Sequence, residues 1–224
     1  MFSFLFPRVC PCCQRPLLPD ETPVCLRCLA ALPRIHAELP DNMVEARLVG
    51  QFPFEHATSF CYYSHDGILS NALKQAKYQS RPWVNAQLTQ LFLQELALVQ
   101  SPWPYDIDCI VPVPVHWTRL LSRGYNQTMA IAETLHEAWH LPVESHCLKK
   151  RRATRSQVGQ GREERLRGIQ GSFSVSHPEC LANRHVLLVD DVLTTGATIS
   201  SAADVLLASV PGIRISVLTL AMAD

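Results

Sequence analysis

A chain of 224 residues that is 47% hydrophobic can bury one core of ordinary size plus a small appendage, which excludes a wholly disordered protein. Twenty Lys and Arg against twenty Asp and Glu leave no net charge, so no bulk field draws nucleic acid or a membrane surface. Strong autonomous nucleic-acid binding is therefore not expected, and any anion site must be local.

The opening Met1-Phe2-Ser3-Phe4-Leu5-Phe6-Pro7 is apolar, but no basic stretch precedes it and Pro7 ends it too soon for a signal peptide or a membrane span. A cytoplasmic protein is expected, and its nine cysteines then read as metal ligands and reduced thiols, not disulfides. Residues 1–35 are broken up by Pro7, Pro11, Pro16, Pro19, Pro23 and Pro33, and a module of this size needs a staple. Cys10 with Cys13 and Cys25 with Cys28 form two CxxC knuckles, which suit a closed tetrahedral Zn²⁺ site with a structural role. Cys12 could replace Cys13 as ligand or remain a free thiol, although a Cys12 ligand would leave Cys10 one residue short of knuckle spacing. Cys61, Cys109, Cys147 and Cys180 read as core cysteines.

Residues 36–60 are weakly patterned, with Pro40 and Pro53 as breaks, and are expected to be a connector. The remainder, 61–224, turns α/β. Leu69, Ala72, Leu73 and Ala76 share one helical face, and Leu88, Leu91, Phe92, Leu96 and Val99 share another. These two helices precede the first clear strand, residues 107–111, which is closed by Pro112-Val113-Pro114; Val113–Pro114 is a candidate for a cis bond. A helix carrying Ile131, Ala132, Leu135 and Trp139 follows. Residues 149–173 are polar and rich in arginine and glycine, too long for an ordinary connection, and read as a lid in which Lys149 and Lys150 belong to a solvated charge run. A buried strand at 185–189, a helix with Ile199, Ala203, Leu206 and Leu207 on one face, and a final strand at 213–220 complete the pattern. Alternation of this kind implies a doubly wound, mostly parallel α/β sheet.

The densest chemistry lies in residues 186–198, Val-Leu-Leu-Val-Asp-Asp-Val-Leu-Thr-Thr-Gly-Ala-Thr. The turn Thr194, Thr195, Gly196, Ala197, Thr198 offers backbone N–H groups and hydroxyls at a helix N-terminus, where unpaired donors and the helix dipole favour a phosphate. Gly196 lets the anion approach the backbone. Asp190 and Asp191 fall at the carboxyl end of the strand, where such sheets bind ligands, and can accept hydrogen bonds from ribose 2′- and 3′-hydroxyls. The site is that of a phosphorylated ribose. Arg123, Arg119 and Lys77 could each donate to a second anionic group; Arg123 leads because Gly124 frees the backbone beside it.

The string 186–198 resembles the binding signature for 5-phosphoribosyl 1-pyrophosphate (PRPP) of type I phosphoribosyltransferases. Together with the two cysteine knuckles, Lys77-Tyr78, Val111-Pro112-Val113-Pro114, Arg123-Gly124-Tyr125-Asn126-Gln127 and Arg152-Ala153-Thr154-Arg155-Ser156-Gln157, in that order, the chain resembles the ComF/GntX family of competence-associated phosphoribosyltransferase-like proteins. The resemblance implies that Pro112, Val113 and Pro114 form the pyrophosphate loop, and that Arg152, Thr154, Gln157, Arg162 and Arg165 belong to a lid closing over PRPP and Mg²⁺. It implies catalytic roles for Asp190, Asp191, Arg123 and Arg165 in transferring phosphoribose to an acceptor, with release of pyrophosphate. It equally allows a non-catalytic PRPP- or nucleotide-binding module that works with DNA-uptake or DNA-processing partners.

Overall fold

The computed structural model describes residues 8–18, 20–21, 23–36, 42–78, 81–115, 120, 124–151 and 172–224. In chain order the elements are α1 (Leu26–Ala30), α2 (Met43–Leu48), β1 (Ala57–Tyr63), α3 (Ile68–Tyr78), α4 (Trp83–Leu98), β2 (Cys109–Pro112), α5 (Gln127–Trp139), β3 (Leu148–Lys150), β4 (Phe173–Val175), β5 (His185–Leu193), α6 (Ala197–Ser209) and β6 (Arg214–Ala223). Four strands make a parallel sheet in the order β1-β6-β5-β2, and β3 and β4 form a separate antiparallel pair.

Side chains alternate across a strand, so each strand of the sheet feeds two cores. Ile110, Leu187, Val189, Leu218 and Leu220 meet the apolar faces of α3, α4 and α5 on one side. Cys109, Val111, Val186, Leu188 and Val217 meet α2 and α6 on the other. Helices therefore cover both faces, and the near-continuous apolar run of β5 is that of a strand buried on both sides. Each of its fully buried leucines contributes about 1.5–3 kcal/mol by leaving water. This is the doubly wound α/β architecture expected from the sequence.

The sequence reading missed the strand that opens the domain. β1 precedes both helices and runs across residue 60, where the connector was expected to end. Its buried Thr58 and Ser59 dilute the apolar run that marks the other strands. The stretch expected to be a connector also holds α2, capped by Asn42, whose Oδ1 accepts from Val44 N at 3.0 Å and Glu45 N at 3.3 Å. Two smaller corrections concern burial: Val99, just past the end of α4, is 47% exposed, and Cys180 is exposed while Cys61, Cys109 and Cys147 are buried. The cis bond among the described residues is Trp103–Pro104, not Val113–Pro114.

Both edges of the sheet are covered. Tyr62 N donates to Pro33 O (2.7 Å) and Ile35 N to Phe60 O (2.9 Å), so the chain leaving the cysteine module pairs along β1. On the far side Ile110 N donates to Pro142 O (2.9 Å) and Glu144 N to Ile110 O (2.8 Å), closing β2. Sheet growth is blocked at each edge, and ligand access is left to the strand ends.

Candidate functional site

β5 carries the two carboxylates near its carboxyl end and runs on to Leu193, beyond the strand expected at 185–189, and α6 begins four residues after Leu193, so the acidic pair and the glycine turn fall at the same end of the strand. Asp190 Oδ1 accepts from Asp191 N at 2.8 Å, and Asp191 Oδ2 pairs with Lys77 Nζ at 3.1 Å. Lys77 reaches this corner from the last turn of α3. Burial, and then the neighbouring Asp191 carboxylate, push the Asp190 carboxyl up to about 7, against the pull of Asp191 N–H, Lys77 and Lys150. Two carboxylates at one strand end cannot both ionise freely without cations, and two lysines supply them.

Lys150 was expected in a solvated charge run. It instead ends β3, lies over the Phe173 ring at 4.9 Å, and acts on Asp190; Lys149 is exposed as expected.

Gly196 is the N-cap of α6 at φ +86, a backbone conformation that favours glycine. An added Cβ would also stand 2.7 Å from Gln51 Oε1, so the Gln51 side chain would have to shift. Gln51 Nε2 donates to Thr195 O (3.1 Å) and Arg47 O (2.7 Å), Ser200 Oγ donates to Gln51 Oε1 (2.6 Å), and Arg47 Nη1 donates to Thr194 O (2.7 Å). Sequence reasoning passed over Arg47, Gln51 and Ser200. The one available signal was Asn42 with Glu45 three residues on, an N-cap pattern announcing α2.

Pro112, Val113 and Pro114 lie beside the end of β5: Val113 N donates to Val189 O (2.9 Å), one residue before Asp190. Val113 O accepts from Thr128 Oγ1 at 2.8 Å, so the first turn of α5 fixes this loop. The Tyr125 hydroxyl donates to Ala76 O, bringing the segment after Gly124 against the turn that carries Lys77. Arg123 and Arg165 lie outside the described residues, as do Arg119, Arg152, Thr154, Gln157 and Arg162. The structure thus brings together Lys77, the Pro112–Pro114 loop, Asp190, Asp191 and the turn from Thr194 to Thr198.

A second cluster stands in the cysteine module. The thiols of Cys10, Cys13, Cys25 and Cys28 all lie within 4.8 Å of one another, with Cys13 Sγ and Cys25 Sγ 3.7 Å apart. A tetrahedral site with Zn–S bonds of about 2.3 Å has S···S edges of about 3.8 Å, so the donor set fits a four-thiolate ion. Cys12 is outside the cluster; it is buried, and burial foremost pushes its thiol up to about 12. The knuckle ambiguity resolves to Cys13. The module sits on α3, with Asn71 Nδ2 donating to Cys12 O (3.1 Å) and Gln75 Nε2 to Pro11 O.

No family model matches the chain. It is 29% identical over 200 residues to the DNA utilization protein YhgH of Escherichia coli K12, covering 89% of this chain and 84% of that protein. It is 31% identical over 137 residues to competence protein F of Haemophilus influenzae, covering 59% of this chain and 58% of that one. The chain is a homologue of the YhgH and ComF proteins. Among solved structures it is similar to the glutamine PRPP amidotransferase of Bacillus subtilis complexed with ADP and GMP, at 20% identity and a TM-score of 0.40 over 64% of this chain and 30% of that one. Among the described residues no helix is long and apolar enough to cross a membrane.

Proposed function

We propose that the chain binds PRPP with Mg²⁺ and transfers its phosphoribosyl group to an acceptor in the use of DNA, the role that the names of its relatives suggest. The observation that carries this reading is the Lys77–Asp191 ion pair beside Asp190 near the carboxyl end of β5, followed within a few residues by the Gly196 turn. In this reading the ribose hydroxyls donate to Asp190 and Asp191, and the 5′-phosphate accepts from the N–H groups and hydroxyls of residues 194–198. Mg²⁺ bound with PRPP would supply positive charge to its pyrophosphate.

The transfer breaks the bond between C1′ and the pyrophosphate oxygen as a lone pair of the acceptor forms the new bond to C1′. Positive charge grows on the sugar while negative charge grows on the leaving group. Ionised Asp190 and Asp191 suit the former, and Lys77 and Lys150, with Arg123 and Arg165 as sequence candidates, suit the latter. In the cysteine module, Cys10, Cys13, Cys25 and Cys28 would hold a structural Zn²⁺.

Thermal melting with Mg²⁺ and PRPP, paired with a pyrophosphate-release assay across candidate acceptors, tests the reading. Ligand at 100 times its dissociation constant adds about 2.7 kcal/mol, a readable rise in melting temperature. A shift with acceptor-dependent release supports the transferase. A shift without release supports a non-catalytic binding module acting with DNA-uptake or DNA-processing partners. No shift at millimolar PRPP removes the ligand assignment.

A further inference from the structure

The phosphate turn is held from behind by side chains that belong neither to its strand nor to its helix. Arg47 lies in the last turn of α2, and Gln51 comes just beyond the helix, after Gly50 at φ +79. α2 is itself anchored to β1, since Asn42 Nδ2 donates to Ala57 O (2.9 Å) and Ala57 N donates to Glu45 Oε1 (3.2 Å). Gln51 N donates to Leu48 O (3.0 Å), and buried Phe52 ties the next residue into the core. Arg47 and Gln51 are thus mounted on a fixed element.

Gln51 has its amide orientation set by its partners. Arg47 O and Thr195 O can only accept, so Nε2 faces them, and Oε1 is left to accept from Ser200 Oγ. The carbonyls of Thr194 and Thr195 are thereby drawn toward Arg47 and Gln51. In a trans peptide the C=O and the following N–H point in opposite directions. Drawing those carbonyls to one side turns the N–H groups of Thr195 and Gly196 to the other, away from α2. Neither N–H has a hydrogen-bond partner among the described residues.

We propose that Gln51 and Arg47 are positioning residues for the 5′-phosphate, aiming the Thr195 and Gly196 N–H groups into the cradle before ligand arrives. This rests on the phosphoribosyl reading of that cradle. They touch the loop, not the ligand, and act by sparing the turn a rearrangement that binding would otherwise have to drive. Gly196 serves the same arrangement, because any Cβ there would drive Gln51 off the carbonyl it holds.

The probes are ribose 5-phosphate, which uses the cradle, and pyrophosphate with Mg²⁺, which uses the opposite side of the site. Each is titrated calorimetrically into the full-length wild type, Gln51→Met and Arg47→Met; the Arg47 variant alters a partly exposed side chain, so one readable variant remains if Gln51→Met fails to fold. The proposal expects ribose 5-phosphate to bind about tenfold weaker in each variant that folds, as for loss of one or two hydrogen bonds that fix the loop, while pyrophosphate affinity stays within about twofold. Unchanged ribose 5-phosphate affinity overturns it, and so does equal weakening of both probes, which is the mark of a merely structural role. A wild type that binds neither probe overturns the phosphoribosyl reading itself, an outcome visible before any variant is compared.

Discussion

Asp190 carries the sharpest residue-level consequence. Desolvation of its half-buried carboxyl, and then the neighbouring Asp191 carboxylate, push it up to about 7 from an ordinary value of 3.8. The folded state therefore binds the proton more tightly than the unfolded chain, and this contribution to stability is whole below pH 3.8 and drains away as pH rises toward about 7. Ribose hydroxyls, in contrast, donate best to an ionised carboxylate. Raising the pH from about 6 to about 8 should thus weaken the ligand-free protein while tightening its hold on Mg²⁺–PRPP. The PRPP phosphate also titrates near pH 6, so Asp190→Asn serves as the reference. The expected result is a steeper fall in melting temperature and a steeper gain in affinity for wild type than for Asp190→Asn; parallel curves would remove Asp190 as the titrating group.

The same scale shows what a sequence can and cannot display. Asp190, Asp191 and Gly196 were legible because strand, acidic pair and glycine turn are contiguous. Lys77 was legible as a cation, but its pairing with Asp191 depends on how α3 ends against β5. Arg47 and Gln51 meet the turn across more than 140 residues of chain, and nothing in their local pattern marks them. Lys150 was misassigned because a lysine that closes a short strand looks, in sequence, like the charge run that surrounds it.

Among the elements, the two CxxC knuckles were legible as a cluster of four thiols because their spacing is local to the sequence, whereas β1 was hidden by Thr58 and Ser59 and α2 by its shortness. Zinc binding is testable at this scale. Protein purified without chelator should contain about one zinc per chain, and Cys10→Ser or Cys28→Ser should lose it together with order in residues 8–36. The knuckle rests on α3 through Asn71 and Gln75, so disorder should reach the helix that carries Lys77. Metal analysis combined with amide exchange measures both effects; a zinc-free wild type with a protected knuckle would refute the assignment.

For the molecule as a whole, the doubly wound sheet explains why the site lies where it does. All four strands of the sheet are parallel, so β2 and β5 deliver their carboxyl ends to one side, and with them the Pro112–Pro114 loop and the acidic pair. The edges are closed by residues 33–35 and 142–144, which leaves that rim as the surface where loops can differ without disturbing the core. Periodicity in the sequence was enough to imply this layout, since apolar strands alternating with amphipathic helices have few other ways to bury their faces. The order of strands and the long-range contacts that brace the rim required the structure.

In the proposed phosphoribosyl site, Asp190 and Asp191 hold the ribose of PRPP. Calorimetric titration of Mg²⁺–PRPP into wild type and into Asp190→Asn with Asp191→Asn tests it most directly. Each lost charge-assisted hydrogen bond should cost about 1.5–3 kcal/mol, so the account predicts that affinity falls at least about tenfold in a variant that still folds. Equal affinity in the two proteins would contradict it.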